Sequence, residues 1–243
     1  MNNVVNFVIQ GKGGVGKSVL ATYLAQFFRE ELGEGQDLVL FDTDPVNKTF
    51  SKYKSLNVIK VELLKDKEIN KKNFDELMEA FFNASDTTFL VDTGASTYLP
   101  LVEYFEKTSF MDLMREQGEK VLFHVPLTND QSRDDTLDVV RTLSETVGAD
   151  DQSIYLYENG WLSSDQTPAK LNLSPKQQKK VGGVINIAKA DDMTVDVIKD
   201  MLASLSTFDE FIDLGSVGLM DKIRIKKYRK NLFENFSRAF VTE

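Results

Sequence analysis

The chain of 243 residues contains no cysteine and a single histidine, His124. The absence of cysteine excludes disulfides, thiolate zinc sites, iron–sulfur clusters and cysteine nucleophiles. One histidine leaves no pair for a two-histidine metal site, and the sequence places no acid or nucleophile beside it. We therefore expect His124 to be a buried or strand-end residue and not a catalytic base.

Long apolar runs and an excess of basic charge are also absent. No uninterrupted apolar stretch approaches the roughly 18 residues of a membrane span. The first five residues lack the basic start of a signal peptide. The 38 acidic and 29 basic side chains give a formal net charge of −9, which opposes general binding along nucleic acid. The sequence thus predicts a cytoplasmic protein, with enough apolar residues (42%) for a sizeable core.

Short β-rich apolar runs alternate with helical patterns along the chain. This alternation predicts an α/β fold, a doubly wound and mostly parallel sheet flanked by helices in three layers. We find no internal repeat and expect a single domain over residues 1–243. The predicted strands are Val4–Ile9, Leu38–Phe41, Val58–Leu64, Thr88–Val91, Val121–Val125, Ile154–Tyr157 and Val184–Ile187. The predicted helices are Val19–Leu32, Phe74–Phe82, Leu101–Arg115, Ser132–Val147, Thr194–Leu205 and Lys222–Phe240, and residues 160–180 are predicted to be a loop.

The strongest signal is Gly11-Lys12-Gly13-Gly14-Val15-Gly16-Lys17-Ser18, between the first predicted strand and the first predicted helix. A glycine-rich turn followed by Gly-Lys-Ser is the pattern of a phosphate-binding loop. Glycine lets backbone N–H groups converge on phosphate oxygens, and the helix N-terminus adds positive potential. In this pattern Lys17 contacts the β- and γ-phosphates and the Ser18 hydroxyl ligates Mg²⁺. The sequence therefore predicts a nucleotide-phosphate site from Gly11 to Val19, not a turn without a ligand.

Two acidic segments follow predicted strands, namely Asp42-Thr43-Asp44-Pro45 and Asp92-Thr93-Gly94. Ligands of open α/β sheets bind at the carboxyl ends of strands. A carboxylate there can complete a Mg²⁺ shell or position an attacking water. A single aspartate of this kind would indicate only a turn. Two of them beside a phosphate loop favour a functional role, so Asp42 and Asp92 are candidate metal ligands.

The additional lysine, Lys12, directly after the first glycine makes the loop resemble the deviant Walker A loop of the ParA/MinD family of dimerising ATPases. The run from Asp42 to Asn47 resembles the second acidic motif of that family, and Asp92 stands at the position of its Walker B aspartate. The runs Asp92-Thr93-Gly94-Ala95-Ser96 and Tyr157-Glu158-Asn159-Gly160-Trp161 are similar to those of a small member carried by conjugative plasmids.

This resemblance implies an ATPase that binds ATP and Mg²⁺ and forms a homodimer in which the two nucleotides face each other. Carried over residue by residue, Lys12 would reach the phosphates of the partner subunit in trans. Asp42 would orient or activate the attacking water, Asp92 would hold the magnesium shell, and Asn159 would contact adenine. The resemblance also implies a partner protein encoded by the same plasmid.

Two positions depart from the pattern of the family. Thr93-Gly94-Ala95 stands where many members have proline soon after the Walker B aspartate, and Val46 replaces a frequent glutamine. Both positions lie in loops that respond to the γ-phosphate, and neither lies in the phosphate loop itself. We therefore expect ATP binding to be retained and hydrolysis to be slow.

The predicted C-terminal helix is basic and amphipathic. Lys222, Lys226, Arg229 and Lys230 share one face, next to an apolar stripe formed by Ile225, Tyr228, Leu232, Phe236 and Ala239. The helix could be docked by this stripe with its charges solvated. Alternatively, its four cations could contact DNA or an anionic membrane, which would make the protein peripheral to the membrane or the nucleoid.

The sequence favours an ATP-dependent dimerisation switch in plasmid conjugal transfer or in plasmid partition and maintenance. Two alternatives remain open. The chain could be a metabolic enzyme, a small-molecule ligase or kinase, with residues 160–180 as the cover of its substrate pocket. It could also be a nucleotide-binding scaffold with little hydrolysis.

Overall fold

A computed structural model of the chain describes residues 3–65, 68–128, 133–159, 171–188 and 190–240. Its main sheet has seven strands in the order β3-β2-β6-β1-β7-β8-β9, and every neighbouring pair in it is parallel. The strands are β1 (Val4–Val8), β2 (Asp37–Asp42), β3 (Ile59–Lys60), β6 (Thr87–Asp92), β7 (Lys120–Leu127), β8 (Ile154–Asn159) and β9 (Val181–Ile187). A small antiparallel hairpin, β4 (Leu64–Lys65) with β5 (Glu68–Ile69), lies outside this sheet.

Helices cover both faces of the sheet. They are α1 (Lys17–Glu31), α2 (Lys71–Phe82), α3 (Tyr98–Lys107), α4 (Phe110–Glu116), α5 (Arg133–Thr142), α6 (Pro175–Lys180), α7 (Asp192–Ala203), α8 (Phe208–Asp213) and α9 (Leu219–Phe240). None of the helices in the described ranges is both long enough and apolar enough to cross a membrane. The predicted doubly wound, three-layer α/β fold is confirmed.

Each face of the sheet has its own apolar core, because strands buried on both faces send alternate side chains in opposite directions. On one face Phe7 packs edge-on against Phe105 of α3, with ring centroids 5.2 Å apart. On the other face Tyr157 packs against Phe236 of α9 at 6.0 Å. The first core joins the sheet to α2 through α5, and the second joins it to α1, α7, α8 and α9.

Two predicted elements are wrong in extent. The helix predicted over Leu101–Arg115 is two helices, because Ser109 adopts a left-handed backbone with φ of 50°. The strand predicted over Val58–Leu64 pairs only at Ile59–Lys60, where it forms the edge of the sheet. Beyond Val61 the backbone turns away into the small hairpin, where the amide of Asn70 donates to the carbonyl of Leu63.

Parts of two other predictions also differ from the structure. The helix predicted over Ser132–Val147 ends as α5 at Thr142 and continues as one π-helical turn, Leu143–Val147. Of the predicted loop over residues 160–180, residues 160–170 lie outside the described ranges, and Pro175–Lys180 is helix α6. A capping box between Ser174 and Gln177 starts α6, with proline at its first position.

The predicted C-terminal helix starts three residues early, at Leu219, and its apolar stripe is docked on the core. Ile225, Leu232 and Phe236 are fully buried. Arg229 does not project freely, because its guanidinium pairs with Glu30 and Asp209 and lies 5.4 Å from the ring of Phe233. The docked interpretation of this helix therefore holds for its apolar stripe, whereas Arg229 is paired with acidic side chains and not simply solvated.

His124 is buried in β7, as predicted, and belongs to a chain of polar side chains through the sheet. Its Nε2 lies 2.9 Å from Oδ1 of Asn6, and its Nδ1 lies 2.7 Å from the hydroxyl of Tyr157. The Nδ2 of Asn6 donates to the carbonyl of Phe89, so its Oδ1 is the acceptor that faces the imidazole. Nε2 therefore carries the proton, and Nδ1 accepts from Tyr157. Burial lowers the pKa of His124 to about 3.

Replacing His124 with leucine should lower the free energy of unfolding by about 2–4 kcal/mol, since the buried oxygens of Asn6 and Tyr157 lose their partner. The substitution should also flatten the acid dependence of stability. A histidine with a pKa of about 3 in the fold and 6.5 in the unfolded chain costs stability as pH falls from 6.5 towards 3. Urea unfolding at pH 7 and pH 5 measures both effects. Tyr157→Phe is the control, because it removes one hydrogen bond and leaves the imidazole. An unchanged pH dependence in the leucine variant would contradict this account.

Candidate functional site

The loop that follows β1 is shaped by two glycines. Gly14 and Gly16 have φ of 73° and 89°, in the left-handed region, and a Cβ on either would meet no atom within 4 Å. Glycine is thus required there for its backbone conformation and not for space. Gly16 caps α1 without any side-chain hydrogen bond, so the helix begins at Lys17 with its first amides directed at the loop. This is the local geometry of an anion site.

Gly11 is required for a different reason. A Cβ at this position would lie 2.8 Å from Cδ1 of Tyr98, whose ring packs against the loop from the start of α3. Tyr98 is 8% exposed. The segment after β6 therefore supports the phosphate loop through this ring, a contact that no sequence pattern predicted.

Lys17 is folded into the loop that precedes it. Its ammonium donates to the carbonyl of Lys12 at 2.9 Å, and the residue is 7% exposed. Burial lowers the pKa of Lys17, while the nearby carboxylates of Asp92 and Asp44 act to raise it. The site thus holds a positive charge between acidic side chains from two different strand ends.

Asp92 ends β6 with a fully buried carboxyl group. Neither of its oxygens has a hydrogen-bond partner among the described residues. Burial raises the pKa of Asp92 to about 8, and the charges of Asp42 and Asp44 add to the rise. The hydroxyl of Ser18, placed short of good hydrogen-bond geometry, and the ammonium of Lys17 oppose it. Buried carboxylate oxygens without donors are costly unless a cation or water meets them.

This carboxylate fits Mg²⁺, a hard cation that takes oxygen ligands. Asp92 and the Ser18 hydroxyl are the oxygen donors that would hold it. No cluster of three or more acidic or histidine side chains in the described ranges could hold a metal without further ligands. The arrangement suits an ion that keeps waters and shares its shell with phosphate oxygens.

Asp42 and Asp44 are two residues apart and have different surroundings. Oδ1 of Asp42 accepts from the amide of Asp44 at 3.1 Å, and its Oδ2 accepts from the amide of Ser51 at 2.8 Å. Asp42 therefore closes the loop that follows β2. Oδ1 of Asp44 accepts from the amides of Val46 and Asn47, and Asp44 lines the cavity in front of the phosphate loop, which Asp42 does not.

The loops after β2 and β6 are joined at their start. The amide and hydroxyl of Thr43 both donate to the carbonyl of Asp92 at 2.9 Å, and the hydroxyl of Thr93 donates to the carbonyl of Val8 at 2.8 Å. A Cβ on Gly94 would lie 3.0 Å from Asp44. Gly94, in one of the two segments that depart from the family pattern, thus lets the Asp44 loop approach closely.

Two adjoining cavities meet at the phosphate loop. The first has a volume of about 450 Å³ and is lined by Gly13, Gly14, Gly16, Lys17, Ser18, Val19, Asp44, Val46, Asn47, Thr49, Ala95 and Ser96. The second, of about 270 Å³, is largely apolar and is lined by Gly14, Val15, Gly16, Val19, Leu20, Tyr23, Pro126, Leu127, Tyr157, Ile187, Ile198, Leu202 and Tyr228. Residues 13–19 of the phosphate loop thus line these two adjoining cavities.

The remaining predicted site residues lie around these cavities. The backbones of Gly11 and Lys12 lead into the loop, and Asp92 lies buried behind Lys17. The backbone of Asn159 pairs with Ile187, which lines the apolar cavity, while the side chain of Asn159 lies outside what the structure describes. The sequence did not predict that Thr43 and Thr93 anchor the two loops through their hydroxyls, although each directly follows a candidate aspartate.

The fold and the site define a nucleotide-binding protein of the P-loop class. Residues 7–236 match the model of the CobQ/CobB/MinD/ParA nucleotide-binding domain, and the chain belongs to this family. The predicted resemblance to ParA/MinD proteins is thereby confirmed.

Two relatives carry the name Protein TraL, both from Escherichia coli. One is 32% identical over 246 residues and the other 30% over 241 residues, and each comparison covers 98% of both chains. A solved structure of a protein assigned to plasmid partition in Borrelia burgdorferi B31, bound to AMPPNP, matches with a TM-score of 0.51 at 16% identity. This match covers 98% of the present chain and 99% of the other, and it supports the fold.

Proposed function

We propose that this protein is a Mg-ATP-dependent dimerisation switch with slow ATPase activity that acts in plasmid conjugal transfer or plasmid maintenance. The observation that carries the proposal is the buried carboxylate of Asp92 beside Lys17 and Ser18, at an open phosphate loop. A P-loop cavity that contains a lysine and lies beside a buried carboxylate without hydrogen-bond donors is suited to bind a nucleotide together with Mg²⁺. The TraL relatives and the AMPPNP-bound partition protein support the nucleotide and the plasmid context.

The two cavities suggest how ATP lies. The phosphates occupy the polar cavity, where the amides from Gly13 to Ser18 and the ammonium of Lys17 meet them. The nucleoside extends towards the apolar cavity between Tyr157 and Tyr228. Asn159 lies at the end of β8 next to this second cavity, which agrees with an adenine contact.

The site supports slow hydrolysis. Mg²⁺, when bound, would neutralise charge on the phosphates, and Ser18 and Asp92 are the side chains that would hold it. Asp44 faces the cavity and is the carboxylate that would orient the attacking water. Asp42 instead fixes the loop that carries Asp44, through its bonds to Asp44 and Ser51. Oδ1 of Asp44 already accepts two amides and its Oδ2 lies 3.4 Å from Nδ2 of Asn47, so the carboxylate has little capacity left to accept a bond from water, and turnover should be slow.

The position of the cavity supports dimerisation. It opens at the carboxyl rim of the sheet, and two large apolar side chains at this rim, Val46 and Leu99, are 75% and 66% exposed. A second copy that meets this rim would cover both of them and would bring its Lys12 near the phosphates. ATP would then stabilise the paired state because that state binds it better.

Replacing Lys12 with alanine should abolish the ATP-dependent dimer and leave ATP binding to the monomer within a few-fold of wild type. The physical reason is that Lys17, and not Lys12, supplies the ammonium inside the cavity of its own subunit. Light scattering with Mg²⁺ and either ADP or a slowly hydrolysed ATP analogue measures the mass. Lys120→Ala, at the opposite rim of the sheet, is the control. A dimer retained in the Lys12 variant would exclude the role in trans.

The same measurement separates the switch from the two alternatives. A molecular mass that is the same with ADP and with the ATP analogue would favour a metabolic enzyme or a constitutive scaffold. ATP turnover that requires a small-molecule substrate at fixed protein concentration would identify the enzyme. ATP turnover per subunit that rises with protein concentration would support the dimer.

A further inference from the structure

Four large apolar side chains are exposed together where α7 and α9 begin. Met193 is 63% exposed, and Leu219, Met220 and Ile223 are 73%, 58% and 48% exposed. The two helix ends are in contact, since Nη2 of Arg224 lies 3.6 Å from Sδ of Met193. We call these four apolar residues the apolar tip. Monomeric proteins rarely expose a contiguous group of large apolar side chains unless that group forms a binding interface.

The apolar tip projects beyond the sheet. Helix α9 runs antiparallel to β8, because Phe240 packs on Tyr155 at 4.9 Å and Phe236 packs on Tyr157, two residues further along the strand, at 6.0 Å. Only two residues of β8 follow Tyr157. Leu219 lies 17 residues before Phe236, or roughly 26 Å along a helix. The first turns of α9 therefore continue well past the carboxyl ends of the strands.

The nucleotide cavities open at this same rim. Tyr228, midway along α9, lines the apolar cavity together with residues 14–16 of the phosphate loop. Val46, on the loop after β2, and Leu99, in the first turn of α3, are exposed at the rim as well. Six of the ten exposed large apolar side chains in the described ranges thus lie at one end of the molecule. A partner that covers the mouth of the nucleotide site also encounters the apolar tip.

The charges around the apolar tip are mixed. Arg224 pairs with Asp221 at 2.7 Å. Asp191 bonds to Thr194 and lies close enough to Arg224 and Lys227 for both cations to lower its pKa further. Anionic bilayers and nucleic acid both favour a surface of one positive sign. An apolar group surrounded by charges of both signs, with Asp191 and Asp221 among the cations, fits a protein surface instead.

We propose that the apolar tip is the outer part of an interface with a second copy of this chain, formed when two nucleotide faces meet. The inference rests on the proposed dimerisation and adds to it a surface outside the nucleotide site. In a twofold arrangement each tip contacts the other subunit, so both tips are buried at once. This extends the contact towards the roughly 800 Å² per partner of a stable interface.

The test compares the double variant Leu219→Glu/Ile223→Glu with wild type. Mass is measured by light scattering over a range of protein concentrations, with Mg²⁺ and a slowly hydrolysed ATP analogue. We expect the dimer to weaken at least tenfold, while binding of a fluorescent ATP analogue to the monomer stays unchanged. The control is Leu113→Glu, an exposed apolar residue (42%) on α4 near the opposite rim, which should dimerise like wild type.

The outcomes separate this inference from the proposed function. Wild-type protein that never pairs with any nucleotide overturns both. A wild-type dimer that is equally strong in the double variant overturns the inference alone. A double variant that keeps its dimer and loses co-sedimentation with vesicles containing phosphatidylglycerol also overturns it and identifies the apolar tip as a membrane contact.

Discussion

Lys17→Ala is expected to weaken the binding of Mg-ATP at least about a hundredfold, or roughly 2.7 kcal/mol. The ammonium lies 2.9 Å from the carbonyl of Lys12 and is 7% exposed, so it is already held where phosphate oxygens arrive. Charge-assisted bonds to phosphate are among the strongest in proteins. The variant also loses the cation that lies between Asp92 and Asp44, which makes the cavity repel the nucleotide. Isothermal titration with a slowly hydrolysed analogue and Mg²⁺ measures the loss.

The control for this prediction is Lys120→Ala. Lys120 is an exposed lysine at the amino end of β7 and should bind the analogue as wild type does. If the Lys17 variant bound the analogue with an affinity within threefold of wild type, the cavity in front of the phosphate loop would not be the phosphate site.

Asp92→Asn is expected to stabilise the nucleotide-free protein at pH 8 and to remove the stabilisation that Mg²⁺ adds to bound ATP. The pKa of Asp92 is about 8 in the fold and 3.8 in its ordinary state, so the folded protein binds the proton more tightly. The contribution of Asp92 to the free energy of unfolding is therefore greatest below pH 3.8 and is lost as the pH rises towards 8. An amide carries no charge there, so the variant should melt about 5–10 °C higher at pH 8.

Thermal unfolding at pH 5 and pH 8, with and without Mg²⁺ and nucleotide, tests both halves of this prediction. Wild type should lose stability between the two pH values, and the variant should lose much less. Asp213→Asn, at an exposed position at the end of α8, should follow the wild-type curve. Identical pH profiles of wild type and the Asp92 variant would contradict this prediction. They would mean that the charged Asp92 carboxylate is stabilised by hydrogen bonds or a counter-charge that the structure does not show.

Several elements that the sequence did not predict were nevertheless marked in it. Thr207 and Glu210 form a capping box at the start of α8, and Ser174 and Gln177 form another at the start of α6. These local signals mark the start of a helix. They were overlooked because both helices have only six residues and show no clear periodicity. The break at Ser109 had no comparable signal, since serine is not among the residues that favour a left-handed backbone.

Local sequence patterns predict the phosphate loop, the βα alternation and the strand-end aspartates, because each of these features depends on residues close together in the chain. The different surroundings of Asp42 and Asp44 depend on tertiary structure. Ser51 returns nine residues later to bind Asp42, which leaves Asp44 to face the cavity. The two faces of α9 were decided in the same way. Its apolar stripe meets a core built from distant strands, while its first turns extend past those strands and stay exposed. Contacts between residues far apart in sequence fix such choices, and no local pattern contains them.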